Sequence, residues 1–192
     1  MMELIKKIRE KTGAGIVAIK QALDEAKGNE EKALEILKKQ GHAKALKKAD
    51  RDAKEGIVVS YIHSNNRVGS LVKLFCETDF VARNEEFQIL AKDIAMHITA
   101  MNPKCISADQ VSDEMVAKEK EIWVHQLKEE GKPEEMIEKI LVGKEKKFKE
   151  EMALLTQAFV KDPSMTVGDL ITAGIGKMGE KIQVGEFVRF EL

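Results

Sequence analysis

Aromatic side chains and cysteines are scarce in this sequence. One Trp, one Tyr and seven Phe make up 5% of the chain, too few to supply the base-stacking platforms of a single-stranded nucleic-acid binder. Two cysteines, Cys76 and Cys105, make no disulfide framework and read as reduced thiols. No charge of one sign prevails. The 32 basic and 33 acidic residues leave a net charge of −1, whereas a whole-protein grip on nucleic acid shows as a basic excess. No run approaches the roughly 18 apolar residues of a membrane span. The opening Met1-Met2-Glu3-Leu4-Ile5-Lys6-Lys7 lacks a signal peptide's apolar run and cleavage site. These absences predict a cytoplasmic protein with neither a membrane nor direct nucleic acid among its partners. What is present is 43% hydrophobic and 34% charged residues over 192 positions, a globular balance in a chain long enough to bury a core without staples.

Glycines punctuate the first fifty-odd residues. Gly13 and Gly15, then Gly28, then Gly41 separate short runs with apolar positions three and four apart. Leu4, Ile5 and Ile8 form the first stripe, Ile16, Ile19, Leu23 and Ala26 the second, and Ala33, Leu34 and Leu37 the third. This is the period of amphipathic helices. Glycine supplies left-handed C-terminal caps, and Asn29 before Glu30 and Glu31 is an N-cap signal. The region 1–54 is thus expected to be a three-helix module followed by an alanine-rich helical linker. The linker's Lys38, Lys39, Lys44, Lys47, Lys48, Arg51 and Lys54 admit two readings, a solvated connector or a contact with RNA. Gly13-Ala14-Gly15-Ile16-Val17-Ala18 fits the loose dinucleotide-binding pattern. That pattern needs a preceding strand, and the run before it is helical.

At Gly56 the period changes to that of strands. Ile57-Val58-Val59-Ser60-Tyr61-Ile62-His63 is β-branched, Ser64-Asn65-Asn66-Arg67 is turn chemistry, and Val68 to Cys76 resumes as a strand. Ile182, Val184, Val188, Phe190 and Leu192 alternate with polar residues in a third. The remainder of 55–192 is helical: a run capped by Asn84 and ending near Asn102-Pro103, a charged hairpin over 112–151 broken at Gly131-Lys132-Pro133, and a short helix from Val167 to Ala173. The hairpin's apolar stripe is Met115, Ile122, Leu127, Met136, Ile140 and Phe148. The fold class read from this pattern is α+β. A three-stranded antiparallel sheet packed with helices forms the core domain, and a sheet that small with apolar residues on both faces needs a further layer or a twin.

No catalytic grouping emerges. His42, His63, His97 and His125 do not stand at zinc-ligand spacing with the cysteines. Gly174-Ile175-Gly176-Lys177-Met178 lacks the first glycine and the hydroxyl of a phosphate loop. We therefore expect no enzyme, no cofactor and no metal site. His97 lies near its helix's apolar face and reads either as a packed core residue or as a partner contact. Glu77-Thr78-Asp79-Phe80-Val81 lies between a strand and a capped helix, where functional loops concentrate. It is either a turn with Phe80 buried beneath it or a protruding wedge, since exposed aromatics anchor interfaces.

Four ordered motifs carry a resemblance. Thr12-Gly13-Ala14-Gly15 followed by Lys20-x-Ala22-Leu23, Thr78-Asp79-Phe80-Val81-Ala82-Arg83-Asn84, Ala95-Met96-His97-Ile98, and Phe187-Val188-Arg189-Phe190-Glu191 resemble the elongation factor Ts family over nearly the whole chain. The length resembles the family's short form, which has one core unit. One stretch departs: after Gly-Ala-Gly the family commonly has Met-Met-Asp-Cys-Lys, and this chain has Ile16-Val17-Ala18-Ile19-Lys20. No role of that Asp or Cys carries over.

The resemblance implies a guanine-nucleotide exchange factor for elongation factor Tu that engages the GDP-bound form. It implies a ubiquitin-associated-like N-terminal module docking through Lys6, Arg9, Ile16 and Val17. It implies a loop, Thr78, Asp79, Phe80 and Val81, that intrudes near the partner's Mg²⁺ site, and a partner contact at His97. The short form with its two-faced sheet implies a symmetric homodimer.

Overall fold

Three short helices, α1 (Met2–Thr12), α2 (Ile16–Glu25) and α3 (Glu30–Leu46), bury the three stripes against one another, apart from Ile16, which at the first position of α2 is exposed. Ile5, Ile8, Ile19, Ala22, Leu23, Ala26, Ala33 and Leu37 form their common core. The computed structural model describes residues 2–12 and 14–192, with the side chain of Glu10 also left aside; the expected break at Gly13 lies outside them. Gly28 closes α2 with φ +79°, its N–H bonding to the carbonyl of Leu23 at 2.8 Å, as a left-handed cap does. Asn29 then caps α3 by accepting from Lys32 N–H at 3.0 Å, and Glu30 takes Lys7 at 2.7 Å and Lys11 at 2.9 Å, tying α1 to the start of α3. Gly41 differs from expectation: it sits inside α3. An interior glycine costs a helix only about 1 kcal/mol relative to alanine, which packing overrides. The helix also ends at Leu46, and residues 47–50 are turns rather than a continuing helical linker.

The sheet follows. Strands β1 (Glu55–Ile62) and β2 (Val68–Cys76) pair antiparallel, and β5 (Gln183–Glu191) joins β2 antiparallel on its other side. The order β1-β2-β5 makes β2 central, and the three-stranded antiparallel sheet is as expected. Helix α5 (Glu85–Met101) covers the inner face, where Val72, Leu74 and Cys76 are buried. Ser70 Oγ donates to the Ala95 carbonyl at 2.8 Å and Arg189 Nε to the Thr99 carbonyl at 2.9 Å. Helix α8 (Val167–Met178) runs well beyond the predicted short helix. The run 174–177 that echoes a phosphate loop is helical within it and forms no nucleotide loop.

Strand β5 is interrupted. Lys73 pairs with Glu186 but Leu74 with Val184, so Gly185 is an extra residue, a bulge. A one-residue insertion flips the facing of everything beyond it. Ile182 and Val184 therefore point into the core while Val188 and Phe190 are exposed, which corrects the single shared face read from the sequence. A Cβ on Gly185 would lie 2.1 Å from the Phe75 ring, so only glycine fits there.

The chain divides into two compact units, one containing residues up to Thr99 together with Asp169–Leu192, the other Ala100–Gly168. The second holds the helical hairpin α6 (Asp113–Glu129) and α7 (Glu134–Met152) and the short pair β3 (Ala158–Phe159) and β4 (Asp162–Thr166), which the sequence reading missed. The hairpin seam is Leu127, Ile137 and Leu141 with Trp123, Val124 and Ile140. Ile122 and Met136, expected in the stripe, are exposed. Trp123 meets Phe148 edge-on at 5.7 Å and carries Lys144 over its ring at 5.7 Å.

Candidate functional site

The segment after β2 turns at once into a one-turn helix, α4 (Asp79–Ala82). Thr78 is its N-cap, the hydroxyl accepting from Val81 N–H at 3.4 Å. Ala82 is buried beneath it, Asn84 accepts from Glu86 N–H at 2.8 Å to begin α5, and Asp79 pairs with Arg83 at 3.1 Å. Phe80 stands at the apex with 82% of its surface exposed. Of the two sequence readings for this loop, the turn with a buried phenylalanine is excluded. A large ring held in water without an intramolecular pocket is unusual for a residue that ordinarily fills cores.

The base of the loop is polar and closely knit. Glu77 accepts from Lys181 N–H at 2.6 Å and faces Arg51 Nη1 at 3.3 Å. That backbone bond first, then the Arg51 charge, holds the Glu77 carboxyl below its ordinary value. Lys181 Nζ in turn donates to the Arg51 carbonyl at 2.8 Å. Arg51 is thus occupied within this unit, as are Lys38, which pairs with Asp169 at 2.9 Å, and Lys48, which donates to the Gly179 carbonyl. These engagements suit the connector reading of the basic stretch. Cys76, just before the loop, is buried, and that burial raises its thiol to about 11; it stays protonated and is no nucleophile.

On the N-terminal helices, Lys6 and Arg9 are exposed on α1. Ile16 and Val17 open α2 with 46% and 71% of their surfaces in water. Ile19, in the stretch that departs from the family pattern, is fully buried in the three-helix core. His97 has no exposed surface. It lies among the packed residues of α5, so a partner reaches its ring only if that packing opens. Among the described residues no cluster of His, Cys, Asp and Glu could hold a metal ion, and no helix is long and apolar enough to cross a membrane. An open cleft of about 400 Å³ lies in the second unit, lined by Met101, Lys147, Glu151 and Gln157 among others; Lys147 pairs with Glu151, and the lining has no catalytic arrangement.

The sequence analysis missed the residues that hold the loop, Glu180 and Lys181. They lie about a hundred positions along the chain from it, in no motif, and only the pairing of β5 with β2 brings them there.

Comparison with known proteins places these features in one family. The family model described as Elongation factor TS matches residues 1–192. The chain is 52% identical over 188 residues to elongation factor Ts of Thermosipho melanesiensis, covering 98% of this chain and 96% of that one. It is 49% identical over 190 residues to elongation factor Ts of Fervidobacterium nodosum, covering 99% and 96%. With elongation factor Ts of Alkaliphilus metalliredigens it shares 52% identity over 189 residues, 98% and 87% of the two chains. The α+β architecture, the capped loop presenting Phe80 and this end-to-end similarity agree: the chain belongs to the elongation factor Ts family.

Proposed function

We propose that this chain is a guanine-nucleotide exchange factor for elongation factor Tu in translation elongation, that it binds the GDP-bound form, and that it performs no covalent chemistry of its own. The single observation that carries the reading is the exposure of Phe80 on a capped, firmly based turn. Residues 1–54, a ubiquitin-associated-like module in this reading, dock through Lys6, Arg9, Ile16 and Val17, which offer two exposed cations and two exposed aliphatic side chains. Residues 55–192 form the core that carries the wedge.

The mechanism follows from how a GTPase holds its ligand. Backbone amides of a phosphate loop and a Mg²⁺ ion compensate the charge of the diphosphate. A ring the size of Phe80, driven between elements of the partner near that ion, displaces the groups that orient the metal's ligands. With the metal loosened, the phosphates are poorly compensated and GDP leaves faster. Asp79, Thr78 and Val81 shape the intruding turn. For His97, buried in the free chain, the proposal requires that α5 be uncovered when the partner docks. Linkage makes the effect reciprocal: a factor that weakens GDP binding is itself weakened by GDP. A ternary intermediate forms, from which either ligand departs.

The test is release of fluorescent GDP from purified elongation factor Tu, with and without this chain and its Phe80→Ala variant. Acceleration by the chain that is lost in the variant supports function and wedge together. Acceleration retained in the variant keeps the function and moves its cause to the N-terminal surface. Binding without acceleration overturns the exchange reading in favour of a plain adaptor.

The same proposal includes a homodimer in the cytoplasm, with no nucleic acid in the contact. The sheet face turned away from α5 carries Val58, Ile62, Leu71, Val188 and Phe190, all exposed, which supports a self-complementary interface.

A further inference from the structure

Phe80 is too exposed to be oriented by its own contacts, and a four-residue helix does not hold itself in water. The direction of the ring must come from the frame beneath α4, and one distant carboxylate supplies much of that frame. Gly179, with φ +78°, turns the chain out of α8 so that Glu180 reaches back under the loop. Its Oε2 accepts from the N–H of Glu77 at 3.1 Å and from the N–H of Thr78 at 3.0 Å. Its Oε1 accepts from the Thr78 hydroxyl at 2.7 Å. The Thr78 oxygen that donates to Glu180 is also the one that accepts from Val81 N–H and caps α4. One carboxylate therefore fixes the position, the backbone direction and the cap of the helix that presents Phe80. The contact is reciprocated one residue further on, where Lys181 N–H binds the Glu77 carboxylate at 2.6 Å. An ionised carboxylate is the side chain suited to the task, because it accepts at both oxygens and its bonds are charge-assisted.

We propose that Glu180 is a positioning residue for nucleotide exchange, acting through Thr78 and α4 on the direction of Phe80 and touching neither nucleotide nor metal. The inference rests on the exchange reading above. It sets Glu180 apart from the docking residues of α1 and α2, which govern how tightly the partner is held, whereas Glu180 governs what the wedge does once the partner is held.

The experiment measures GDP release from elongation factor Tu at rising concentrations of the full chain, giving a maximal rate and a half-saturating concentration. Wild type, Glu180→Ala, Glu180→Gln, Phe80→Ala and the doubles of each Glu180 variant with Phe80→Ala are compared, with thermal melts as a control on folding. Glu180→Ala is expected to lower the maximal rate about tenfold, the scale set by losing hydrogen bonds to a charged group, and to leave the half-saturating concentration unchanged. Glu180→Gln keeps one acceptor oxygen for the two amides and falls between. In the Phe80→Ala background neither Glu180 variant slows release further, because the element it directs is already gone. If Glu180→Ala does not fold, Glu180→Gln and its double carry the same comparison. An equal proportional loss in both backgrounds assigns Glu180 a general structural role and overturns the proposal, as does a change confined to the half-saturating concentration. If Phe80→Ala slows release and the Glu180 variants do not, this inference alone fails. If Phe80→Ala releases GDP at the wild-type rate, the wedge fails and the Glu180 role falls with it.

Discussion

Two residues show how differently burial and exposure are used in one loop. Phe80 leaves almost all its ring in water, so its truncation removes little that stabilises the chain. Exposed positions away from special features change stability by no more than about 0.5 kcal/mol. Phe80→Ala should therefore melt like the wild type while losing exchange, and calorimetry run beside the GDP-release assay checks both halves. Glu77 is the opposite case, a carboxylate whose value lies in its ionised form. The Lys181 N–H, and then Arg51, lower its folded-state value below the ordinary 4.5. A lowered folded value means that the ionised group stabilises the native state above the unfolded value, and that this contribution fades as pH falls through the folded one. Wild type should thus exceed Glu77→Gln in melting temperature at neutral pH, and the gap should narrow as the pH is taken below 4.5. A gap independent of pH would mean that the glutamine's shape, not the lost charge, is responsible.

At the scale of elements, most of the fold was legible because each element carries its own period. The stripes of α1, α2 and α3 form the three-helix core except for Ile16, which is exposed, and the β1–β2 hairpin closes over the turn chemistry of residues 64–67. Of the features that were not legible, three have separate physical reasons. Gly41 reads locally as a break, but the packing that carries α3 through it is tertiary. In the α6–α7 seam, neighbours such as Ile122 and Trp123 are both apolar, and only the approach of the second helix selects Trp123. The bulge at Gly185 leaves no trace in an alternating pattern, because an inserted residue exchanges two faces that are both partly apolar. The bulge can be tested directly. In Gly185→Ala the new methyl would stand 2.1 Å from the Phe75 ring, and such overpacking costs about 1–3 kcal/mol. Chemical denaturation should show a lower midpoint with an unchanged slope. For the candidate site, the motif located Thr78 to Val81, whereas its support was invisible: Glu180 is joined to Thr78 across 102 positions, and no local rule pairs residues at that distance.

For the whole molecule, the bulge has a consequence for assembly. By turning Val188 and Phe190 outward beside Leu71, Ile62 and Val58, it gathers one apolar surface on the side of the sheet turned away from α5. Lys73 and Glu186, paired at 2.6 Å, lie toward one end of that surface rather than at its centre. Ser60, small and exposed on the same face, leaves room for an opposing side chain, while the Ile62 side chain covers Gly69. Two such sheets stacked face to face would remove the aliphatic rows and the Phe190 rings from water, at about 25 cal/mol for each Å² buried. We therefore expect light scattering at micromolar concentration to give twice the 21.5 kDa chain mass. Leu71→Lys should give the single-chain mass, since an ammonium placed at the centre of an apolar interface is buried without a partner. The variant should remain folded, because Leu71 faces away from the core formed by β2 and α5, and its far-ultraviolet circular dichroism should match the wild type. A monomeric wild type would show that this face serves something other than a second copy. A dimeric Leu71→Lys would place the interface elsewhere on the chain.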